Sequence, residues 1–149
     1  MKKSQRFQSV IKVASARERQ AATALGQAQS SLQSQLARME ELIRYQEEYQ
    51  LQLQRTGSLG MDARRIQDYH AFLDKLRLAI RQQQSVVDNA QRLVDERKQQ
   101  WFSTRGKLKT YDNVMERFQG EEQRLEDQRE QKDTDERAQR TDGKQRVIE

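Results

Sequence analysis

Along the second half of this chain an apolar residue returns every seventh position without one polar interruption: Ile66, Leu73, Ile80, Val87, Val94, Trp101, Leu108 and Met115. A 3.5-residue period held for that long keeps a narrow greasy stripe on one side of an α-helix. Such a helix must supercoil left-handedly around a partner to keep the stripe covered. With these residues at heptad position a, position d holds Tyr69, Leu76, Gln83, Ala90, Arg97, Thr104, Tyr111, Phe118 and Leu125. The first half has the same period. Its a series is Ile11, Glu18, Leu25, Leu32, Met39, Gln46 and Leu53, and its d series is Phe7, Ala14, Ala21, Ala28, Gln35, Leu42 and Tyr49. No proline occurs anywhere, so nothing ends a helix by deleting a donor and clashing with the preceding turn.

Composition narrows the choice further. Hydrophobic residues make up 34% of the 149 residues and charged residues another 34%, too little apolar material for a wide core but enough for a seam between helices. A chain this polar is otherwise expected to be disordered, and the unbroken heptads decide against that. Cysteine is absent, which removes disulfides and thiolate chemistry. The only apolar stretch after Met1-Lys2-Lys3 is short and broken by Lys12, unlike a secretory leader. No run approaches the roughly 20 apolar residues of a membrane span. The sequence therefore reads as cytoplasmic.

Between the two series lies Thr56-Gly57-Ser58-Leu59-Gly60-Met61-Asp62. Gly57 suits a helix C-terminus because it tolerates positive φ, and Asp62 or Ser58 can cap the next helix. A short connection makes the two helices antiparallel neighbours. The predicted fold is all-α, a long antiparallel two-helix coiled-coil hairpin forming a single coiled-coil domain. Helix 1 covers 4–54, the turn 55–61 and helix 2 residues 62–136, overhanging from about residue 114, with a disordered, flexible C-terminal tail at 137–149. Setting Leu53 opposite Asp62 makes facing residue numbers total 115. That register pairs Met39 with Leu76, Leu42 with Leu73, Ala28 with Val87, Ala21 with Val94 and Ala14 with Trp101. It also sets Glu18 against Arg97 as a seam ion pair that fixes alignment while adding little stability. Met115, Phe118 and Leu125 would then form an uncovered stripe, the mark of an interface.

No catalytic, metal or cofactor site is legible. His70 is the only histidine, and with no cysteine it cannot build a structural zinc site. Gly106-Lys107-Leu108 lacks the hydroxyl and spacing of a phosphate loop. Acidic pairs such as Glu40-Glu41 lie on solvated helix faces with nothing concave to hold a substrate. The chain is expected to act by binding. Lys2, Lys3, Arg6, Lys12, Arg17 and Arg19 against Glu18, with Arg92, Arg97, Lys98, Arg105, Lys107 and Lys109 against Asp95 and Glu96, give one basic end, away from the turn, that suits an acidic protein surface or nucleic acid. The basic residues are diluted by Gln and Ala, unlike a basic zipper, which makes nucleic acid the weaker reading beside a protein partner or a generic structural scaffold. Nearer the turn, position g holds Tyr45 on the first helix and Phe72 and Ala79 on the second, where charged residues are usual. The g flanks of antiparallel partners run side by side, so Tyr45 is expected close to Phe72 with Ala79 one heptad further, and an apolar pair there reads as an anchor for a partner.

These features together resemble the flagellar FliJ family. The chain opens Met1-Lys2-Lys3-Ser4-Gln5-Arg6-Phe7, folds as a hairpin and carries Tyr45 and Tyr49 opposite Tyr69 and Phe72. The resemblance covers essentially the whole chain. It implies a non-enzymatic, cofactor-free component of the bacterial flagellar export apparatus, which is a type III secretion machine. Such a protein is similar in shape to the stalk subunit of rotary ATPases. The implied partners are the hexameric export ATPase and its regulator, the membrane export gate protein and chaperones of late export substrates. The implied location is the cytoplasm, peripherally associated with the inner membrane at the flagellar base. The implied gate-binding patch falls on Leu42, Tyr45, Tyr49, Phe72, Leu76 and Ala79. Lys2, Lys3, Arg6, Lys12, Arg105, Lys107, Lys109, Met115 and Phe118 would face the ATPase. The resemblance also implies a glutamine at position 38 and a histidine at position 83, where this chain has Arg38 and Gln83.

Overall fold

In a computed structural model of the chain, α1 spans Lys3–Ser58 and α2 spans Ala63–Ile148. The structure describes residues 2–60 and 62–148, with side-chain surroundings through residue 144. The two long helices pack antiparallel on each other, and no strand occurs among the described residues. This is the all-α hairpin the heptads demand. Burial follows the period closely. Ser4, Ala14, Leu25 and Ala28 on α1 are buried, as are Leu73, Leu76, Gln83, Val87, Val94 and Met115 on α2, and every one is an a or d position. Even Leu73, the most enclosed of them, keeps 2% of its surface exposed. A two-helix seam has no second layer to finish the burial.

By internal packing the chain divides into two compact units. The turn unit is Gln20–Phe102, and the terminal unit combines Met1–Arg19 with Ser103–Glu149. In the turn unit, Leu25, Ala28 and Val94 form a buried cluster against which Leu32 and Trp101 pack. The register differs from the one the sequence suggested. Gln35 bonds Gln83 and Tyr49 meets Tyr69, each pair totalling 118, and Val94 sits with Leu25 and Ala28, at 119 and 122, rather than opposite Ala21, so contacting numbers run above 115.

The physical reason for the difference is the pair of seam amides. At a total of 115, Gln83 would face Leu32 and Gln35 would face Ile80, each amide in apolar company with partners missing, at a cost of about 1–3 kcal/mol per group. In the observed alignment the amides meet. Gln83, 7% exposed, donates from Nε2 to the Gln35 backbone carbonyl and to Gln35 Oε1, both at 2.9 Å.

The turn corrects a second expectation. Gly57 lies inside α1, and the positive φ falls on Gly60, at +85°. The last turn of α1 tightens through i→i+3 bonds from the Leu59 N–H to the Thr56 carbonyl (3.2 Å) and from the Gly60 N–H to the Gly57 carbonyl (3.3 Å), a usual way to satisfy carbonyls at a helix end. Met61 lies outside the described residues. Asp62 stands where a cap was expected, since its carbonyl accepts the first bond of α2 from the Ile66 N–H at 3.1 Å.

In the terminal unit, α1 reaches further along α2 than expected. Phe7 makes edge-to-face contacts with Tyr111 (5.8 Å) and Phe118 (5.6 Å). Ser4 bonds Glu122, and Met115 is 9% exposed. The overhang expected from about residue 114 therefore begins only after Glu122. Of the supposedly bare stripe, only Leu125, 57% exposed, remains uncovered. The helix itself runs past 136 to Ile148, but residues 123–144 are exposed throughout, as the fading period requires.

Two outcomes follow from these contacts. Replacing both seam amides (Gln35→Leu with Gln83→Leu) should raise the melting temperature yet broaden the distance distribution between spin labels at 29 and 88, because a uniform apolar seam permits neighbouring registers. A single sharp distance would show that the amides do not set the register. In urea melts, Gly60→Ala should cost about 1 kcal/mol because its φ is left-handed, whereas Gly57→Ala, in a helical site with nothing within 4 Å of the new Cβ, should be neutral or stabilising.

Candidate partner-binding surfaces

In the turn unit, two of the six residues expected to form the gate patch, Tyr49 and Phe72, are in ring contact. Tyr49 packs on Tyr69 (ring centroids 5.0 Å) and on Phe72 (4.3 Å). Leu76 is buried in the seam at 8% exposed, and Leu42, Phe72 and Ala79 are half-buried. Tyr45 is different, at 57% exposed. The expected side-by-side contact of Tyr45 with Phe72 gives way to Tyr49–Phe72, because the shifted register carries Tyr49 to that place. Phe72 and Ala79 thus widen the seam, and Tyr45 is the aromatic group left facing solvent. It also lines an open groove on the outer face of α1 with Leu51 and Arg55, which heptad positions a and d alone could not reveal.

The terminal unit holds the basic residues. Lys2, Lys3, Arg6, Lys12, Arg105, Lys107 and Lys109 are all exposed. Met115 and Phe118 are not a free face beside them, being packed in the seam beneath Phe7 and Lys3, whose Nζ stands 5.9 Å from the Phe118 ring centroid. Glu18 and Arg97, the expected seam ion pair, are both half-buried, and Arg97 Nη1 donates to Gln100 Oε1 on its own helix at 3.1 Å.

A contact with no signal in the heptad pattern closes this unit. The backbone N–H of Ser4 donates to Glu122 Oε1 at 3.1 Å and its hydroxyl donates to Oε2 at 2.7 Å. Ser4 sits in the first turn of α1, where orphan N–H groups seek an acceptor, and here a carboxylate from the other helix supplies it. The two bonds, with Lys2 nearby, hold the Glu122 carboxyl below its ordinary value of 4.5.

Among the described residues no group of acidic or histidine side chains is placed to hold a metal ion, His70 is exposed, and no helix is long and apolar enough to cross a membrane. What the surfaces offer is contact with other macromolecules. Compared with protein-family models, the chain matches the one described as flagellar FliJ protein over residues 2–146. The chain belongs to the FliJ family. It is accordingly a component of the flagellar export apparatus, in a family of structural export components. Neither the curated proteins nor the solved structures compared with it gave a significant match. Where the resemblance implied a histidine, this chain has Gln83. That residue is spent inside the seam on Gln35 and does not reach the surface of the aromatic patch, whereas Arg38 is exposed.

The Ser4–Glu122 contact carries a pH prediction whose sign follows from the lowered carboxyl. A depressed folded-state value stabilises above the unfolded value near 4.5 and is lost as pH falls through the folded one. Protection of the Ser4 amide against hydrogen exchange should therefore hold at neutral pH and be lost in acid, as the pH falls below 4.5 and through the depressed folded value. In Glu122→Gln the protection should be weaker at neutral pH and indifferent to acid. Equal pH dependence in both proteins would remove the carboxylate from the account.

Proposed function

We propose that this FliJ-family chain works by binding alone, as a coiled-coil element that links the hexameric export ATPase to the membrane export gate. In this reading the exposed cations of the terminal unit, Lys2, Lys3, Arg6, Lys12, Arg105, Lys107 and Lys109, meet the ATPase and its regulator as a stalk subunit meets a rotary ring. Met115 and Phe118 support that surface from within the seam. The turn-unit patch of Leu42, Tyr45, Tyr49, Phe72, Leu76 and Ala79 meets the gate. Chaperones of late export substrates are escorted by the same chain, which works peripherally at the inner membrane beneath the flagellum.

The observation that carries the reading is Tyr45. An aromatic residue 57% exposed at a g position, beside a packed Tyr49–Phe72 pair, is poorly explained by hairpin stability. It is well explained by a partner that covers it, since interface centres favour tyrosine. The cations of the terminal unit fit an acidic partner in the same way, by steering and complementarity.

Tyr45→Ala should weaken binding to the purified gate protein about tenfold or more with helicity and melting temperature unchanged. Phe72→Ala should instead lower stability by about 1–3 kcal/mol through lost seam packing. Lys12→Glu with Lys109→Glu should cut co-sedimentation with the ATPase hexamer and leave gate binding intact. Wild-type behaviour of both surface variants toward both partners would reduce the chain to a generic structural coiled coil.

A further inference from the structure

The terminal unit has an apolar recess that the seam does not explain. Val10 occupies heptad position g of α1, a place normally given to a charged side chain, and is 40% exposed, while Val13 is 53% exposed. With Ala14 and Tyr111 they line a groove of about 360 Å³, rimmed by Arg17 from α1 and Lys107 from α2. Ala14 makes the room, because it is buried at 8% and its single methyl leaves unfilled the volume a leucine would take. The rim charges are the g residues of both helices, so cations flank a greasy floor.

We propose that this groove receives one amphipathic helix of a partner protein, its apolar residues on Val10 and Val13 and its Asp or Glu side chains on Arg17 and Lys107. Val10 to Arg17 rises about 10 Å, two turns of helix, which suits apolar residues spaced i, i+3 or i+4, i+7. The charge of the rim selects an acidic helix and repels a basic one. The chain's own acidic extension is a poor occupant, since residues 126–144 contain no hydrophobic residue larger than Ala138. Nucleic acid would engage the cations but leave both valines uncovered, and the one aromatic residue lining the groove, Tyr111, is already half-buried against Phe7. The inference goes beyond the preceding reading, because it fixes the chemistry of the occupant without requiring that the ATPase supply it.

The test uses the full chain and fluorescein-labelled helical peptides of about sixteen residues with leucine at i, i+3, i+7 and flanking glutamates, or the same peptide with lysines in their place. Fluorescence anisotropy should show saturable binding of the acidic peptide and at least tenfold weaker binding of the basic one. Val13→Asp, and separately Arg17→Glu with Lys107→Glu, should each weaken the acidic peptide tenfold or more with the melting temperature unchanged. Should Val13→Asp perturb the helix, Val13→Ser serves, with the same expected direction. Failure of the acidic peptide to bind, equal binding of both peptides, or indifference to the change at Val13 would overturn the proposal. So would sedimentation showing a dimer that the Val13 variant dissociates, or an oligonucleotide that the peptide displaces and the Val13 variant still binds.

Discussion

A seam made only of apolar side chains is tolerant of sliding, because one leucine facing another by a turn more or less changes little. The bond between Gln83 and Gln35 removes that tolerance in the turn unit. Two amides that would each be stranded at the neighbouring alignment satisfy each other at this one, with both acceptors on Gln35 engaged by a single buried donor. Buried polar groups of this kind specify alignment at some cost in stability. Once it is set, Tyr49 must lie between Tyr69 and Phe72, and Tyr45, four residues earlier, must turn outward. The surface proposed for the gate is thus a consequence of a hydrogen bond elsewhere in the same unit.

The terminal unit is held by different means. Its first turn is tied down by a carboxylate that accepts both a backbone N–H and a hydroxyl from Ser4, and just beyond, Phe7 is wedged between Tyr111 and Phe118. These contacts use residues that a stalk-like binding surface would otherwise display. Lys3 shows the compromise, an exposed residue whose ammonium stands over the Phe118 ring. The exposed charge of this unit and its packed aromatics belong to opposite sides of the same few residues.

How much of this was legible from the residues can be judged element by element. The two helices, their antiparallel pairing and the identity of the seam residues were readable, because a 3.5-residue period admits few other solutions. The alignment was not. Pairing by position a against d and by opposite charge at Glu18 and Arg97 gave a plausible answer that ignored the need of Gln35 and Gln83 for each other. The glycine of the turn was misplaced for a related reason, since Gly57 and Gly60 are equally permissive and only closure of the chain selects Gly60. The reach of α1 along α2 depended on the alignment, so the covered state of Phe118 could not be foreseen. Which ring on the Tyr45 flank faces solvent likewise depended on the alignment.

The stretch of α2 after Glu122 differs in kind from the rest. Apart from Leu125 and Ala138 it offers no apolar side chain through residue 144. Its side-chain hydrogen bonds are local, such as the Gln123–Asp127 contact at 3.0 Å and threonine hydroxyls bonded to carbonyls one turn back. Helix without tertiary packing lives on small margins, with each residue near indifference between ordered and unordered. This arm is therefore a conformational reserve. Another macromolecule can unwind, lengthen or re-aim it for little free energy, while the seamed residues before it resist the same pull.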